Sequence, residues 1–233
     1  VSVLVAVSVA ALALLRCSAA HWCLLVFSSR RAADVRIGAV EDFLSGRPYW
    51  QLDNAPQAGA GAQIFSGVAG ALLLSLGESG GVGAGFSVDG VGDINGDGHA
   101  DVVVGSCIDD AIGVETGAAR VYSGADGALL YSFFGTPGSF YGSAVAGVGD
   151  VNGDGVPDIA VGGPGDSTQG PDRGRLDVFS GLDGGLLHAW VGGEDHAGFG
   201  SQVAPAGDLN SDGFADVCVG VPWSNTHGPI AGL

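Results

Sequence analysis

The sequence contains no methionine and no lysine, and its basic residues are eight arginines set against 25 acidic residues, a formal net charge of −17. Binding a nucleic acid requires cations that replace the counterions of its phosphates, so this balance argues against nucleic acid as a partner. The apolar run that opens the chain, residues 1–15, stops at Arg16. It falls short of the ~20 residues a helix needs to cross a bilayer, and no membrane span is expected in the mature chain. The run suits the apolar centre of a secretory signal, with Ser18-Ala19-Ala20 as a cleavage site, although no basic segment precedes it. The alternative is that residues 1–33 are a misread or chimeric stretch standing where a first strand and its loop belong. With no methionine anywhere, the chain is expected to begin inside an open reading frame.

Cysteine is limited to Cys17, Cys23, Cys107 and Cys218, at no spacing that metal sites use. Cys107 and Cys218 fall at non-equivalent places near second strands, so they read as buried free thiols. The five histidines, His21, His99, His188, His196 and His227, form no recurrent pair with a candidate nucleophile. No convergent titratable set outside the loops described next supports catalysis. The chain is read as a non-enzyme.

What is present in quantity is glycine, 44 residues, and one phrase written three times. Asp93-Ile-Asn-Gly-Asp-Gly-His-Ala-Asp101 returns as Asp150-Val-Asn-Gly-Asp-Gly-Val-Pro-Asp158, and again as Asp208-Leu-Asn-Ser-Asp-Gly-Phe-Ala-Asp216. The first aspartates lie 57 and 58 residues apart, a period that marks a repeat architecture. Oxygen side chains fall at positions 1, 3, 5 and 9, with glycine at 6 to permit a sharp turn, the spacing by which a short loop surrounds a hard cation. The candidate ligands are Asp93, Asn95, Asp97 and Asp101 in the first loop, Asp150, Asn152, Asp154 and Asp158 in the second, and Asp208, Asn210, Asp212 and Asp216 in the third. Position 7 offers a main-chain carbonyl from His99, Val156 and Phe214, whose side chains are free to vary.

Each loop gathers three carboxylates and no base, so the charges repel unless a cation offsets them. The side-chain donors are all oxygen, which disfavours zinc and copper. Magnesium demands a tighter octahedron and keeps its waters, so Ca2+ is the expected ion, one per loop and about three in all. Asp, Asn and Gly also cluster in ordinary tight turns, but that account does not supply three copies in register with every ligand position kept.

An EF-hand would need a bidentate Glu at position 12, with helices on both sides. Here position 12 is Val104, Val161 and Val219, inside the runs Val102–Gly105, Ile159–Gly162 and Val217–Gly220. Short β-branched runs bounded by turn residues read as buried strands, so each loop joins two strands. Dockerin loops lead into a helix and fail for the same reason. The second repeat reads as four strands: 141–148, 159–162, 175–180 and 186–191. The first gives 85–88, 102–105, 119–123 and 128–133, with Asp126-Gly127 as a hairpin turn. The third starts at 199–203 and stops before its third strand. Four short antiparallel strands per repeat make an all-β fold, a β-propeller of four-stranded blades, present as an incomplete set of about three to four blades.

With Tyr141-Gly142-Ser143 and Phe199-Gly200-Ser201 before the loops, and Val161-Gly162-Gly163-Pro164 and Val219-Gly220-Val221-Pro222 after them, the chain resembles the FG-GAP repeat. The resemblance covers residues 34–233, most clearly 61–233. It implies the propeller of integrin α subunits, a repeat also found in bacterial secreted proteins, with calcium on the loop positions already named. Two departures stand out: Phe86-Ser87 where Phe-Gly is usual, and Ser106-Cys107 in place of Ala-Pro. The expected units are an apolar segment 1–33, a degenerate partial blade 34–77, blades 78–135 and 136–193, and a partial blade 194–233.

In the degenerate blade, Asp34–Ala39 resembles the second-strand segment Asp101–Ser106, and Gly61–Gly67 the third-strand segments. Counting back from Asp34, loop positions 1, 3 and 5 hold Val26, Ser28 and Arg30, which cannot bind calcium. The connection 40–60, with Tyr49 and Trp50, reads as an inter-strand excursion or a surface recognition loop. The chain is expected to be a fragment of a longer propeller, secreted or at the cell surface. Its expected role is a non-catalytic, calcium-binding module for adhesion or recognition of an extracellular protein or glycan. The alternative is a propeller accessory domain of a larger secreted hydrolase or lyase.

Overall fold

Short runs of valine, isoleucine and aromatic residues, punctuated by glycine, fold as the strands their composition favours. A computed structural model of the chain describes residues 34–35, 42–47, 61–76 and 83–225, within one unit that spans Ala32–Leu233. Every regular element among them is a strand; none is a helix, so no described helix is long and apolar enough to cross a membrane.

The strands group in sequence order. β1 (Asp34–Val35), β2 (Asp42–Arg47), β3 (Gly61–Phe65) and β4 (Leu72–Leu76) form the first antiparallel sheet. β5 (Ala84–Gly92), β6 (Asp101–Ser106), β7 (Ala118–Tyr122) and β8 (Leu129–Phe134) form the second. β9 (Ala144–Gly149), β10 (Asp158–Gly163), β11 (Arg175–Phe179) and β12 (Leu186–Val191) form the third. β13 (Gln202–Gly207) and β14 (Asp216–Gly220) pair as a two-stranded sheet. Each sheet is a simple meander. In the later sheets the first strand lies beside the first strand of the next, β5 against β9 and β9 against β13, whereas the first sheet meets β5 mainly through β2. This is the arrangement of incomplete propeller blades, and the described strands close no barrel.

Burial follows position within a blade. Second strands β6 and β10 are buried at every residue, as continuous apolar runs covered on both faces should be. Fourth strands β8 and β12 are mostly exposed. The core lies between sheets: Val103, Val121 and Phe133 of one meet Tyr141, Val145, Ile159 and Val161 of the next. The rings of Phe133 and Phe179 stack across this interface at 3.9 Å.

Glycine brings the blades into backbone contact. A Cβ on Gly105 would stand 2.0 Å from the carbonyl oxygen of Gly142, and one on Gly162 would stand 2.1 Å from that of Gly200. Parallel bridges Gly117–Tyr141 and Gly174–Phe199 run alongside. The penultimate residue of one second strand, a glycine, therefore meets the glycine before the next first strand.

That geometry corrects one reading of the sequence. Gly85, Gly142 and Gly200 hold the same place before their loops, with φ of +85°, +79° and +84°. The first repeat has kept its glycine; what it lacks is the aromatic, since Ala84 stands where Tyr141 and Phe199 stand. Phe86 lies on the other side of the glycine and is partly exposed.

Two further corrections concern the first sheet and a thiol. The second place in that sheet belongs to β2, while Asp34–Val35 pairs with it from the first place, at Asp34↔Phe43. The segment likened to a second strand is thus a first strand, and the supposed excursion 40–60 contains a strand, with Leu44 buried opposite Ile64. Tyr49, Trp50 and residues 1–33 lie outside the described residues. Cys107 is buried, but Cys218 on β14 is exposed.

On the inner strands, the Ser87 hydroxyl accepts the Val145 N–H and the Asp89 carboxylate accepts the Gly147 N–H, both at 3.1 Å. Burial raises the pKa of Asp89, opposed by the Gly147 and Gly90 amides. A carboxyl whose folded pKa exceeds its unfolded value favours the fold when protonated, and that contribution is lost as pH rises through the folded pKa. Asp89→Asn keeps the acceptor oxygen and removes the charge. It should therefore be more stable than the parent near neutrality, by a margin that shrinks as pH falls toward about 4, the ordinary Asp range. Urea midpoints of both proteins across that range give the answer, and a constant gap would remove the role assigned to the charge.

Candidate metal centre

The three loops occupy the same place in their blades, between first and second strands, and position 9 in each is the first residue of the second strand: Asp101, Asp158 and Asp216. The turn expected at position 6 is present, with Gly98, Gly155 and Gly213 at φ of +88°, +86° and +93°. Position 4 is also left-handed, occupied by Gly96 and Gly153 but by Ser211 at φ +61° in the third loop. A non-glycine residue is strained in that region, so the third loop is the least relaxed of the three.

Within each loop the side chains turn onto the loop's own amides. Asp93 accepts from Gly96 N at 2.7 Å, Asp97 N at 3.1 Å and Gly98 N at 2.9 Å. Asp150 does the same with Gly153 N and Gly155 N, and Asp208 with Asp212 N and Gly213 N. At position 3, Asn95, Asn152 and Asn210 each donate to the position-5 carboxylate of Asp97, Asp154 or Asp212. That carboxylate in turn accepts the position-7 N–H of His99, Val156 or Phe214. The expected ligands are therefore brought together loop by loop, in one repeated pattern.

Position 9 reaches further. Asp101 has no exposed surface and accepts Ile94 N and Gly124 N, both at 3.0 Å. Asp158 is equally buried and accepts Val151 N at 2.8 Å and Gly181 N at 3.0 Å. These carboxylates pin the loop to the hairpin turn between third and fourth strands, and the Ser123 hydroxyl adds a bond to Asp97 at 3.0 Å. Asp216 is partly exposed and accepts Leu209 N at 2.7 Å. The turn residues Ser123, Gly124 and Gly181 were not among the expected site residues. Their signal is in the sequence: Ser66-Gly67, Ser123-Gly124 and Ser180-Gly181 recur at the same 57-residue interval.

The electrostatics follow from this geometry. Burial raises the pKa of Asp158, its two amide bonds oppose the rise, and the charges of Asp154 and Asp150 add to it. Asp101 is raised by burial in the same way, with Asp97 as the charged neighbour. Asp97 is held low, first by Asn95, and Asp150 first by the Gly155 amide. The first and second loops thus each keep a carboxylate ionised beside another acidic group, a crowding that a divalent cation relieves.

Among the described residues no three His, Cys, Asp or Glu side chains form a ready metal cage, because the oxygens face amide hydrogens. The donor chemistry nonetheless fits a hard cation. Every side-chain donor is oxygen, an ionised carboxylate has about four acceptor sites, and three negative charges share each loop.

Known proteins resemble this chain in sequence. A family model described as FG-GAP-like repeat matches residues 93–161, and the FG-GAP repeat model matches residues 199–232. Integrin alpha-V of Gallus gallus is 35% identical over 147 residues, which is 60% of this chain and 14% of that protein. Integrin alpha-6 of Homo sapiens is 32% identical over 190 residues, 76% of this chain and 16% of that protein. The chain therefore spans about a sixth or less of the length of these relatives. Two family matches that include all three loops, set on antiparallel sheets of meandering strands, lead to one conclusion: the chain is an FG-GAP repeat protein.

Proposed function

We propose that the chain is part of a calcium-braced β-propeller that recognises an extracellular protein or glycan and carries out no catalysis. The observation that carries this reading is the threefold loop: all-oxygen donors at positions 1, 3, 5 and 9, in one hydrogen-bond pattern, at the same end of successive sheets. Bound calcium would be held by Asp93, Asn95, Asp97 and Asp101, with the corresponding residues of the other two loops, and by the position-7 carbonyls of His99, Val156 and Phe214. It would supply positive charge where the fold concentrates negative charge. It would thereby stiffen the link between first and second strands, leaving other surface loops to contact a partner. Similarity to integrin α chains supports recognition as the role, and a secreted or cell-surface location.

Calorimetric titration of the chelator-treated protein with calcium should give heat for three sites per chain, and melting should shift upward with calcium. A site filled at 100 times its Kd adds about 2.7 kcal/mol, a shift that a thermal melt resolves. Absence of both heat and shift would sink the proposal.

A further inference from the structure

The second and third loops touch. The N–H of Ala215, at position 8 of the third loop, donates to the carbonyl oxygen of Asp150, at position 1 of the second, over 2.9 Å. The ring of Phe214 lies over Gly153 of the second loop, so close that a Cβ there would come within 2.6 Å of it. The first and second loops meet differently. Pro157, the position-8 residue of the second loop, packs beside Gly92, where a Cβ would lie 3.0 Å from its ring. Proline has no N–H to donate to Asp93.

From this contrast, and resting on the calcium reading above, we infer that Phe214 and Ala215 couple cation binding in the second and third loops, while the first loop binds independently. Phe214 and Ala215 sit between Asp212 and Asp216, so a cation in the third loop fixes the segment that grips the second. The grip falls on Asp150 and Gly153, a ligand and the turn beside it. Ordering that segment once reduces the ordering the second loop still requires, which raises its affinity. The coupling is reciprocal, because binding free energies are linked. The Phe214 ring and the Ala215 backbone act by positioning in this scheme, while the Phe214 carbonyl, which Phe214→Ala retains, stays among the proposed ligands. The Phe214 side chain and the Ala215 N–H reach the neighbouring loop, while the third loop's own expected side-chain ligands are Asp208, Asn210, Asp212 and Asp216.

The test is a calcium titration of the full chain followed by hydrogen exchange, with the Gly155 amide reporting the second loop and the Gly98 amide the first. Asp212→Ala disables the third loop and should raise the calcium midpoint at Gly155 about fivefold or more, leaving Gly98 unchanged. Ala215→Pro removes the bridging N–H, adopting the residue that the second loop already has at this position, and should raise the Gly155 midpoint as well. Ala215→Gly retains the N–H and should keep the parent midpoint. Phe214→Ala provides a second route to the same shift if Ala215→Pro does not fold. A Gly155 midpoint unmoved by either of these two variants overturns the coupling. Parallel calorimetry separates the failures: heat without a shift removes only the coupling, whereas no heat removes the calcium reading and the coupling with it.

Discussion

Gly162→Ala is expected to destabilise the protein by about 3 kcal/mol or more, at the upper end of what overpacking does. The added methyl would stand 2.1 Å from the carbonyl oxygen of Gly200 and 3.0 Å from its carbonyl carbon. Backbone of a neighbouring blade cannot rotate aside as a side chain does, so the two sheets must separate. Separation exposes apolar surface that β9 and β10 bury against β13 and β14, including Val203 and Ala160, at roughly 25 cal/mol per Å2. Gly193→Ala is the control, since nothing lies within 4 Å of its added methyl. Urea unfolding should show a large loss for the first variant and a change within about 0.5 kcal/mol for the second, as for other surface substitutions. Similar midpoints for the two would refute the backbone contact between blades.

Asp158→Ala is the second large effect, expected to cost about 3 kcal/mol in calcium-free buffer. Its carboxylate accepts two N–H groups, Val151 and Gly181, and truncation leaves both without that charged acceptor. Each buried donor left unsatisfied costs about 1–3 kcal/mol; the raised pKa of Asp158 shows that burial already works against its charge, so the lower part of the summed range applies. Asp216→Ala removes a single described amide bond from a partly exposed residue and should cost about 1 kcal/mol. Chelator in both melts keeps cation binding out of the comparison. If the two losses were equal, the bond from Asp158 to the outer hairpin turn would carry no weight.

Most of the repeat was legible because its signals are local. The β-branched runs after each loop became β6, β10 and β14, and the segment 186–191 became β12 with the same bounds. Glycine at position 6 adopts the left-handed turn assigned to it. β2 was not legible: Asp-Phe-Leu-Ser-Gly-Arg has no β-branched residue and carries charge at both ends. It is a strand because Leu44 is buried opposite Ile64, a pairing partner twenty residues away. The aligned glycine of the first repeat was missed because the Phe-Gly order is reversed around Gly85; its place before the loop, the same as that of Gly142 and Gly200, and its positive φ identify it. Cys218 read as a buried free thiol from its place near a second strand, yet on β14 it is exposed.

Sequence alone determined the repeat length, the oxygen-donor loops and the strand that follows each, since these depend on residues close together in the chain and on conformational preferences they carry with them. Tertiary structure decided which glycines meet across blades, which strand holds the second place in the first sheet, and which amides satisfy the buried aspartates. It also decided that the second and third loops touch through an N–H where the first and second meet through a proline. Those facts depend on distances between segments some twenty to sixty residues apart. No local preference encodes such distances; they appear only when the sheets stack.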